Sequence, residues 1–228
     1  MTELAARDIN GNKPELHCIT SSLRNRHESV SRIQQIEPYI DWIHLRDKQQ
    51  PTMELCALIQ QLQNEGVNPR RLVINDRVDA ALVNRLSAVQ LPSLGLPVKE
   101  VRQYAPHLRI GASVHSLDEA AAACSAGASY VLYGHIFATF SKAGAEPRGL
   151  QALADICSSV SLPVIAIGGI TPERVLEVLQ AGATGIAVLS GIWDAADPGE
   201  AARRYRQSLD EASISLSRTC LTSQLQRR

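Results

Sequence analysis

His135 is the side chain in this sequence that is best suited to move a proton. It follows Gly134 directly after a predicted strand over residues 129–134, and the same predicted loop contains Thr139 and Lys142. The ordinary pKa of an imidazole lies close to neutral pH, so His135 can act as a general acid or a general base. The pattern predicts a catalytic role for His135, and a packing role is the alternative.

Two segments near the end of the chain could bind phosphate. One contains Gly168 and Gly169, the other contains Leu189 and Ser190, and each follows a predicted strand. Glycine lets a backbone approach an anion closely, and the N–H groups at the start of a helix bind phosphate. We predict that these four residues form one phosphate site. Two alternatives stay open: the glycine pair only turns the chain, and Ser190 caps a helix.

Polar and basic residues stand at the C-terminal ends of the other predicted strands. His44, Arg46 and Lys48 alternate along the second strand and therefore share one of its faces. If that face points inward, cationic groups surround the pocket and can bind a substrate carboxylate or phosphate. The predicted substrate-binding residues are Arg46, Lys48, Asn75, Ser113 and Lys142.

Other polar residues near these strand ends have plainer interpretations. Asp76 and Arg77 could pair with Arg46 in a rim of salt bridges, and His115 could cap the helix that follows it. Asp47 and Asp76 lack the further carboxylate that would hold Mg²⁺ firmly. The sequence therefore predicts no metal site and no cofactor.

Short strands alternate with longer helices along the chain, which indicates βαβ units around a parallel sheet. Eight strands are predicted, over residues 15–20, 42–46, 71–75, 88–91, 109–114, 129–134, 163–169 and 185–190. An open doubly wound sheet shows the same alternation, but eight evenly spaced units favour closure because closure removes both exposed edges. We predict a single-domain (β/α)₈ TIM barrel over residues 15–212, between flexible tails at residues 1–14 and 213–228.

Two predicted helices carry clear signals. Residues 52–65 place apolar side chains on one stripe that can lie on the sheet, namely Leu55, Leu58, Ile59 and Leu62. Residues 172–180 begin with Thr171 as the expected N-cap and Pro172 in the first turn. These signals predict where the two helices begin and which face of the first lies on the sheet.

The composition limits the classes to which the protein can belong. Basic and acidic residues number 23 each, so the formal net charge is zero and no long-range field attracts nucleic acid or an anionic membrane. The five cysteines show no C-x-x-C spacing, which is typical of reduced thiols in a cytosolic protein. No apolar run approaches the roughly 20 residues of a membrane span. We expect a soluble cytoplasmic protein without a nucleic-acid or membrane partner.

The chain resembles the thiamine phosphate synthase and TenI superfamily in six segments. They read H-L-R-D-K, N-D-R-V-D, G-A-S-V-H-S, Y-V-L-Y-G-H-I-F-A-T, A-I-G-G-I and A-V-L-S-G-I, and the likeness extends from about Leu16 to Leu209. The resemblance implies a small phosphorylated thiazole substrate from thiamine biosynthesis, and it implies a homodimer.

Residues at the predicted mouth differ between the two branches of this superfamily. Synthases carry a glutamine where this chain has His44, V-H-L-G-x-x-D where it has V-Q-L-P-S at residues 89–93, and G-P at Gly134–His135. In the synthases the missing aspartate, with the one that matches Asp76, holds Mg²⁺ against a pyrimidine pyrophosphate. Lys142 matches a lysine that contacts this pyrophosphate. TenI-type proteins have V-Q-L-P-S and Y-V-L-F-G-H-V-F segments almost as here.

The resemblance therefore implies a TenI-type thiazole tautomerase, an isomerase without a cofactor. Its substrate is a non-aromatic thiazole carboxylate phosphate that loses the C2 proton, gains one on the exocyclic carbon and becomes aromatic. His135 would supply the acid–base group, and Arg46 or Lys48 would hold the carboxylate. Two alternatives stay open: the Mg²⁺-dependent synthase, which is a transferase, and a non-catalytic sensor of thiazole phosphate.

Overall fold

Eight parallel strands form a closed barrel. The structure, a computed structural model, describes residues 13–142 and 144–225. Each strand pairs with the next, and β1 also pairs with β8, which closes the sheet and confirms the predicted TIM barrel. The strands are β1 (Glu15–Ile19), β2 (Trp42–Leu45), β3 (Leu72–Asn75), β4 (Ala88–Leu91), β5 (Arg109–Val114), β6 (Tyr130–Gly134), β7 (Val164–Ile167) and β8 (Gly185–Val188).

The helices connect the strands and cover the outside of the barrel. They are α1 (Arg26–Ile36), α2 (Thr52–Asn64), α3 (Val78–Val83), α4 (Val98–Tyr104), α5 (Leu117–Ser125), α6 (Gly149–Ser159), α7 (Val175–Gln180), α8 (Ser190–Trp193) and α9 (Pro198–Leu225). Short 3₁₀ helices lie at Pro69–Arg71, Phe140–Lys142 and Pro172–Arg174. Within the described ranges, no helix has both the length and the apolar character that crossing a membrane would require.

The two helices with clear sequence signals form close to where they were predicted. Helix α2 buries the expected stripe of Leu55, Leu58, Ile59 and Leu62. The helix predicted over residues 172–180 divides into a 3₁₀ turn and α7. Thr171 is the N-cap residue of the 3₁₀ turn, as predicted, although its side chain caps no backbone N–H.

The hydrophobic core has two parts. The larger part lies between the sheet and the surrounding helices and consists mostly of leucine, isoleucine, valine and alanine. The smaller part lies inside the barrel and contains Ile19, Tyr130, Leu132, Ile165 and Ala187. Because side chains fill the barrel interior, a ligand is expected to bind at the ends of the strands rather than within a central channel.

Helix α9 extends further than the sequence suggested. A flexible tail was predicted from residue 213, whereas the helix continues to Leu225. Ser213 is buried and Leu216 packs against the core, so one face of this segment belongs to the domain. Because the segment is rich in Ser and Arg, its sequence did not indicate a buried face. Residues 1–12 and 226–228 of the predicted tails lie outside the described residues.

Arg206 ties α9 to the start of β1. Its guanidinium donates to the carbonyl of Pro14 at 3.2 Å and to Asp41 Oδ2 at 3.0 Å, and it lies 2.8 Å from Asp210 Oδ1. Asp41 also accepts from the N–H of Leu16 at 2.8 Å. The side chain of Arg206 is 10% exposed, so the guanidinium itself is largely shielded from water.

Replacing Arg206 with alanine is expected to lower the free energy of unfolding by about 3 kcal/mol, because the Pro14 carbonyl loses its donor and the Asp41 carboxylate loses its cationic partner. Arg203 on the same helix is a matched control, since it pairs with Glu200 at 2.7 Å with both side chains about half exposed. Its replacement should cost less than about 1 kcal/mol. Urea denaturation measures both values, and equal losses in the two variants would contradict the role given to Arg206.

Candidate active site

All the predicted site residues lie at the C-terminal end of the barrel. Because every strand is parallel, their carboxyl ends meet at one mouth, where the active sites of TIM barrels are found. The residues follow or end β2 (Arg46, Lys48), β3 (Asn75), β5 (Ser113), β6 (His135, Lys142), β7 (Gly168, Gly169) and β8 (Leu189, Ser190). The fold brings together all the positions that the sequence singled out, and their individual roles stay predictions.

The inward face of β2 is the one that carries His44. This side chain is fully buried inside the barrel, and alternation places Arg46 on the same face at the mouth. The backbone of Arg46 is held by Thr20, whose hydroxyl accepts from the Arg46 N–H at 2.9 Å and donates to its carbonyl at 3.0 Å. Lys48 lies beyond the strand and is exposed.

Three lysine and arginine side chains at the mouth, Arg46, Lys48 and Lys142, are here called the basic rim. Among the described residues none of the three forms a salt bridge. The predicted rim of salt bridges involving Asp76 is also wrong, because Arg77 pairs with Asp79 at 2.7 Å and with Thr52 instead. The cationic groups of the basic rim are therefore not engaged by a carboxylate of the described residues and could pair with an anionic ligand.

His135 packs against the glycines that follow β7. Gly168 has φ +101°, and a Cβ at this position would overlap the Cβ of His135. His135 Nε2 lies 3.2 Å from the carbonyl of Ala145, and this oxygen can only accept, so Nε2 carries a hydrogen. In the neutral ring, Nδ1 is then the nitrogen with a free lone pair.

The segments after β7 and β8 form the predicted phosphate loops, which comprise Gly168, Gly169, Leu189 and Ser190. Within residues 13–142 and 144–225, the N–H groups of Gly168, Gly169 and Ser190 donate no hydrogen bond. Ser190 begins α8, but no side chain caps this helix, so the interpretation of Ser190 as an ordinary cap is not supported. Free N–H groups and an exposed hydroxyl on two adjacent loops suit a phosphate.

His115 directly follows β5 and takes part in the start of α5. Ser116 is the N-cap, and its hydroxyl accepts from the N–H of Glu119 at 3.1 Å. Glu119 in turn accepts from the N–H of His115 at 2.7 Å. The arrangement differs from a capping box, because Glu119 accepts from the residue before the N-cap, but it involves His115 in helix initiation.

A buried hydrogen-bonded chain inside the barrel was not predicted. Glu15 accepts from His17 Nε2 at 3.0 Å, and His17 Nδ1 lies 2.8 Å from His44 Nε2. Arg109 donates to both oxygens of Glu15, at 2.9 and 2.7 Å. Because Nε2 of His17 donates to the carboxylate, its Nδ1 accepts from His44, and the Nδ1 of His44 keeps its lone pair.

The ionisable side chains of this hydrogen-bonded chain have shifted pKa values. Burial is the main cause that lowers the pKa of both His17 and His44. Burial alone would raise the pKa of Glu15, but hydrogen bonds from His17 and Arg109 outweigh it and hold this pKa far below its ordinary value. The interior therefore contains two neutral imidazoles and one carboxylate that is paired with Arg109.

Gln90 lies in the V-Q-L-P-S segment but was not predicted as a site residue. It lies on β4 between β3 and β5, and its Nε2 donates to the Ser113 hydroxyl at 3.0 Å. The available signal was a polar residue within an otherwise apolar strand, but the partner across the sheet depends on register.

A sequence profile for a known family matches most of this chain. The profile, described as thiamine monophosphate synthase, spans residues 16–192 and thus includes nearly all of the barrel strands and the whole mouth. The chain belongs to the thiamine monophosphate synthase family. The predicted superfamily is thereby confirmed at the level of the family.

Two curated relatives of this chain are both named thiamine-phosphate synthase. The thiamine-phosphate synthase of Pyrococcus furiosus is 37% identical over 203 residues, which cover 88% of this chain and 97% of that protein. The thiamine-phosphate synthase of Methanoculleus marisnigri is 41% identical over 175 residues, which cover 75% and 83%. A solved structure of a thiamine phosphate pyrophosphorylase from Pyrococcus furiosus is 36% identical with a TM-score of 0.75, covering 88% of this chain and 98% of that one.

These relatives correct the predicted enzyme class. The sequence predicted an isomerase, whereas the relatives are named thiamine-phosphate synthase, which is a transferase activity. The isomerase prediction is therefore wrong. It gave most weight to a few positions, namely His44, residues 89–93 and His135.

The residues present do not fit a resident Mg²⁺ site of the kind that the synthase branch implies. No group of three or more histidine, cysteine, aspartate or glutamate side chains suited to a metal occurs among the described residues. Asp47 already accepts from the N–H groups of Leu23 and Gln49, each at 2.9 Å. Asp76 is exposed at the mouth and offers one carboxylate. We assign no catalytic step to a metal on this basis.

Proposed function

We propose that this protein is a thiamine-phosphate synthase, a transferase that joins a thiazole phosphate to a pyrimidine and releases pyrophosphate. The observation that supports the proposal is that two groups of residues suited to binding anions lie at one mouth. The phosphate loops lie after β7 and β8, and the basic rim lies after β2 and β6. Two anionic substrates need two such regions, and the relatives that share 37–41% of their residues are named for this reaction.

The phosphate loops are the proposed site for the thiazole phosphate. Their free N–H groups can bind a terminal phosphate without a counter-charge from a side chain, as helix N-termini do in many barrels. This assignment leaves the basic rim for the second, more highly charged substrate.

The basic rim is the proposed site for the pyrimidine pyrophosphate. During the transfer, the bond from the pyrimidine methylene carbon to pyrophosphate breaks, and its electron pair leaves with pyrophosphate. The thiazole nitrogen then supplies the electron pair of the new C–N bond. Arg46, Lys48 and Lys142 stabilise the negative charge on the leaving group, which is the main electrostatic demand of this reaction.

His135 has a different place in this reaction from the one first predicted. The coupling transfers no proton between ring atoms, so it does not require an acid–base group. We propose that His135 contacts a substrate through its free Nδ1. The homodimer that the resemblance implies also stays a prediction.

The experiment that tests the function mixes the protein with both substrates and Mg²⁺, and it measures thiamine phosphate and pyrophosphate together. The two products should appear in equal amounts. Lys142→Ala should reduce the rate by about a hundredfold, as the loss of one transition-state contact typically does. Lys99→Ala is the matched control, since this exposed lysine lies on α4, and its rate should equal that of the wild type.

Two outcomes would overturn the proposal. One is the absence of coupled product at substrate concentrations that saturate binding. The other is tight binding of the thiazole phosphate with no turnover, which would favour a sensor.

A further inference from the structure

Gln90 lies between two residues that we expect to bind substrate. Its Cα partner on β3 is Asn75, and its Cα partner on β5 is Gly111, two residues before Ser113. The side chain of Gln90 is 1% exposed and reaches Ser113 Oγ with its Nε2 at 3.0 Å. The buried amide of Gln90 therefore donates a hydrogen bond to the half-buried hydroxyl of Ser113 at the mouth.

The direction of this hydrogen bond determines what Ser113 can offer to a ligand. The NH₂ group of a carboxamide only donates, so the Ser113 oxygen must accept from it. The hydroxyl hydrogen of Ser113 is then free to donate to a different acceptor. Anionic oxygens are the acceptors that the nearby basic rim would attract.

The rest of the interior favours this orientation of the amide. A Cβ on Gly111 would overlap both Gln90 Oε1 and the hydroxyl of Tyr130, so these two atoms border the same space. Both are buried and lack a hydrogen-bond partner among the described residues. Burial raises the pKa of Tyr130, which keeps its hydroxyl protonated and able to donate. In this orientation the amide oxygen borders the same space as the Tyr130 hydroxyl, and the NH₂ group donates to Ser113.

We propose that Gln90 is a positioning residue that holds the Ser113 hydroxyl as a donor to the pyrophosphate group of the substrate. The identity of this ligand rests on the proposed function. Gly111 contributes by leaving room for the amide, and the main chain of β4 and β5 fixes the spacing of the pair. Gln90 itself does not touch the ligand.

The test measures the binding of inorganic pyrophosphate by isothermal titration calorimetry in four variants. Ser113→Ala and Gln90→Leu should each weaken binding about tenfold, since each removes the oriented hydrogen bond to a charged group. Gln90→Glu keeps the length of the side chain but replaces the donor with an acceptor. It should weaken binding at least as much as Ser113→Ala, because Ser113 then donates to Glu instead of to the ligand.

The double variant Gln90→Leu/Ser113→Ala separates positioning from a general structural effect. If Gln90 acts through Ser113, the double variant should bind pyrophosphate as Ser113→Ala does. Further weakening in the double variant, or wild-type affinity in Gln90→Leu, would overturn the proposal. Thermal unfolding of each variant identifies any that fail to fold, and Gln90→Glu then provides the second comparison.

This experiment distinguishes the positioning role from the proposed function. Binding of pyrophosphate requires no turnover, so a protein that binds pyrophosphate through the Gln90–Ser113 pair but couples no substrates would keep the positioning role and lose the function. If the wild type couples the substrates but Gln90→Leu binds pyrophosphate with wild-type affinity, the proposed function would stand and the positioning role would be lost. Failure of the wild type to bind pyrophosphate would overturn both.

Discussion

Replacing Gly168 with alanine is expected to lower the free energy of unfolding by about 3 kcal/mol and to weaken phosphate binding about a hundredfold. The residue has φ +101°, a conformation that costs an alanine about 1 kcal/mol. The new Cβ would also overlap the Cβ of His135 and lie 2.6 Å from its Cα. Overpacking of this kind costs roughly 1–3 kcal/mol more. Urea denaturation and calorimetry with inorganic phosphate measure the two effects.

In Gly168→Ala, rotating a side chain cannot relieve the overlap, because the opposing atoms are Cα and Cβ of His135 in a segment held by backbone hydrogen bonds. The carbonyl of His135 accepts from the N–H of Arg148 at 3.0 Å, and the N–H of Ile136 donates to the carbonyl of Ile167 at 2.9 Å. Relief therefore requires the loop after β6 to move away from the phosphate loops. That movement separates His135 from Gly168 and disrupts the mouth.

Gly66→Ala provides the matched control for this prediction. Gly66 has φ +88°, and a Cβ there would meet no atom within 4 Å. Only the backbone cost of about 1 kcal/mol is expected, with unchanged phosphate binding. If the two alanine variants lost the same stability and the same affinity, close packing between Gly168 and His135 could not be the cause.

The strands could be predicted accurately because their signals are local. All eight were found with ends within two residues of the structure, since runs of Val, Ile and Leu alternate with amphipathic helices. The seventh strand ends at Ile167 rather than at the predicted Gly169, because both glycines that follow have positive φ and leave the extended conformation. The end of α9 was missed because its buried face carries Ser213 in place of a large apolar residue.

The positions of the site residues followed from topology, but their contacts did not. Parallel strands in a closed barrel must present their carboxyl ends at one mouth, so Asn75, Ser113 and His135 could be assigned to it without coordinates. The partnership of Gln90 with Ser113 and of His17 with His44 depends on which residues lie side by side across the strands. Sequence alternation gives the face of a side chain and not its neighbour.

The reaction was the least predictable property. His135 and the resemblance to TenI-type segments suggested proton transfer, whereas the relatives are named for a transfer reaction. One barrel supports many reactions, and single residues at its mouth do not by themselves determine which one takes place.

The free energy of unfolding is expected to decrease as the pH falls from about 7 to 5. His17 and His44 are fully buried, and burial lowers the pKa of both below the ordinary value of 6.5. Below pH 6.5 the unfolded chain binds protons at these two residues while the folded protein does not. Protonation therefore favours unfolding, by up to about 1.4 kcal/mol per pH unit for each imidazole.

The variant His44→Gln tests this origin of the pH dependence. Glutamine can still donate to His17 Nδ1, but it does not titrate, so the slope of unfolding free energy against pH should fall by about half between pH 5 and 6.5. His107→Gln is the control, because this histidine is exposed and its removal should leave the slope unchanged. Urea denaturation at several pH values gives the slopes. A slope in His44→Gln equal to that of the wild type would place the titrating groups outside the barrel interior, and the chain from Glu15 to His44 would then have no part in acid sensitivity.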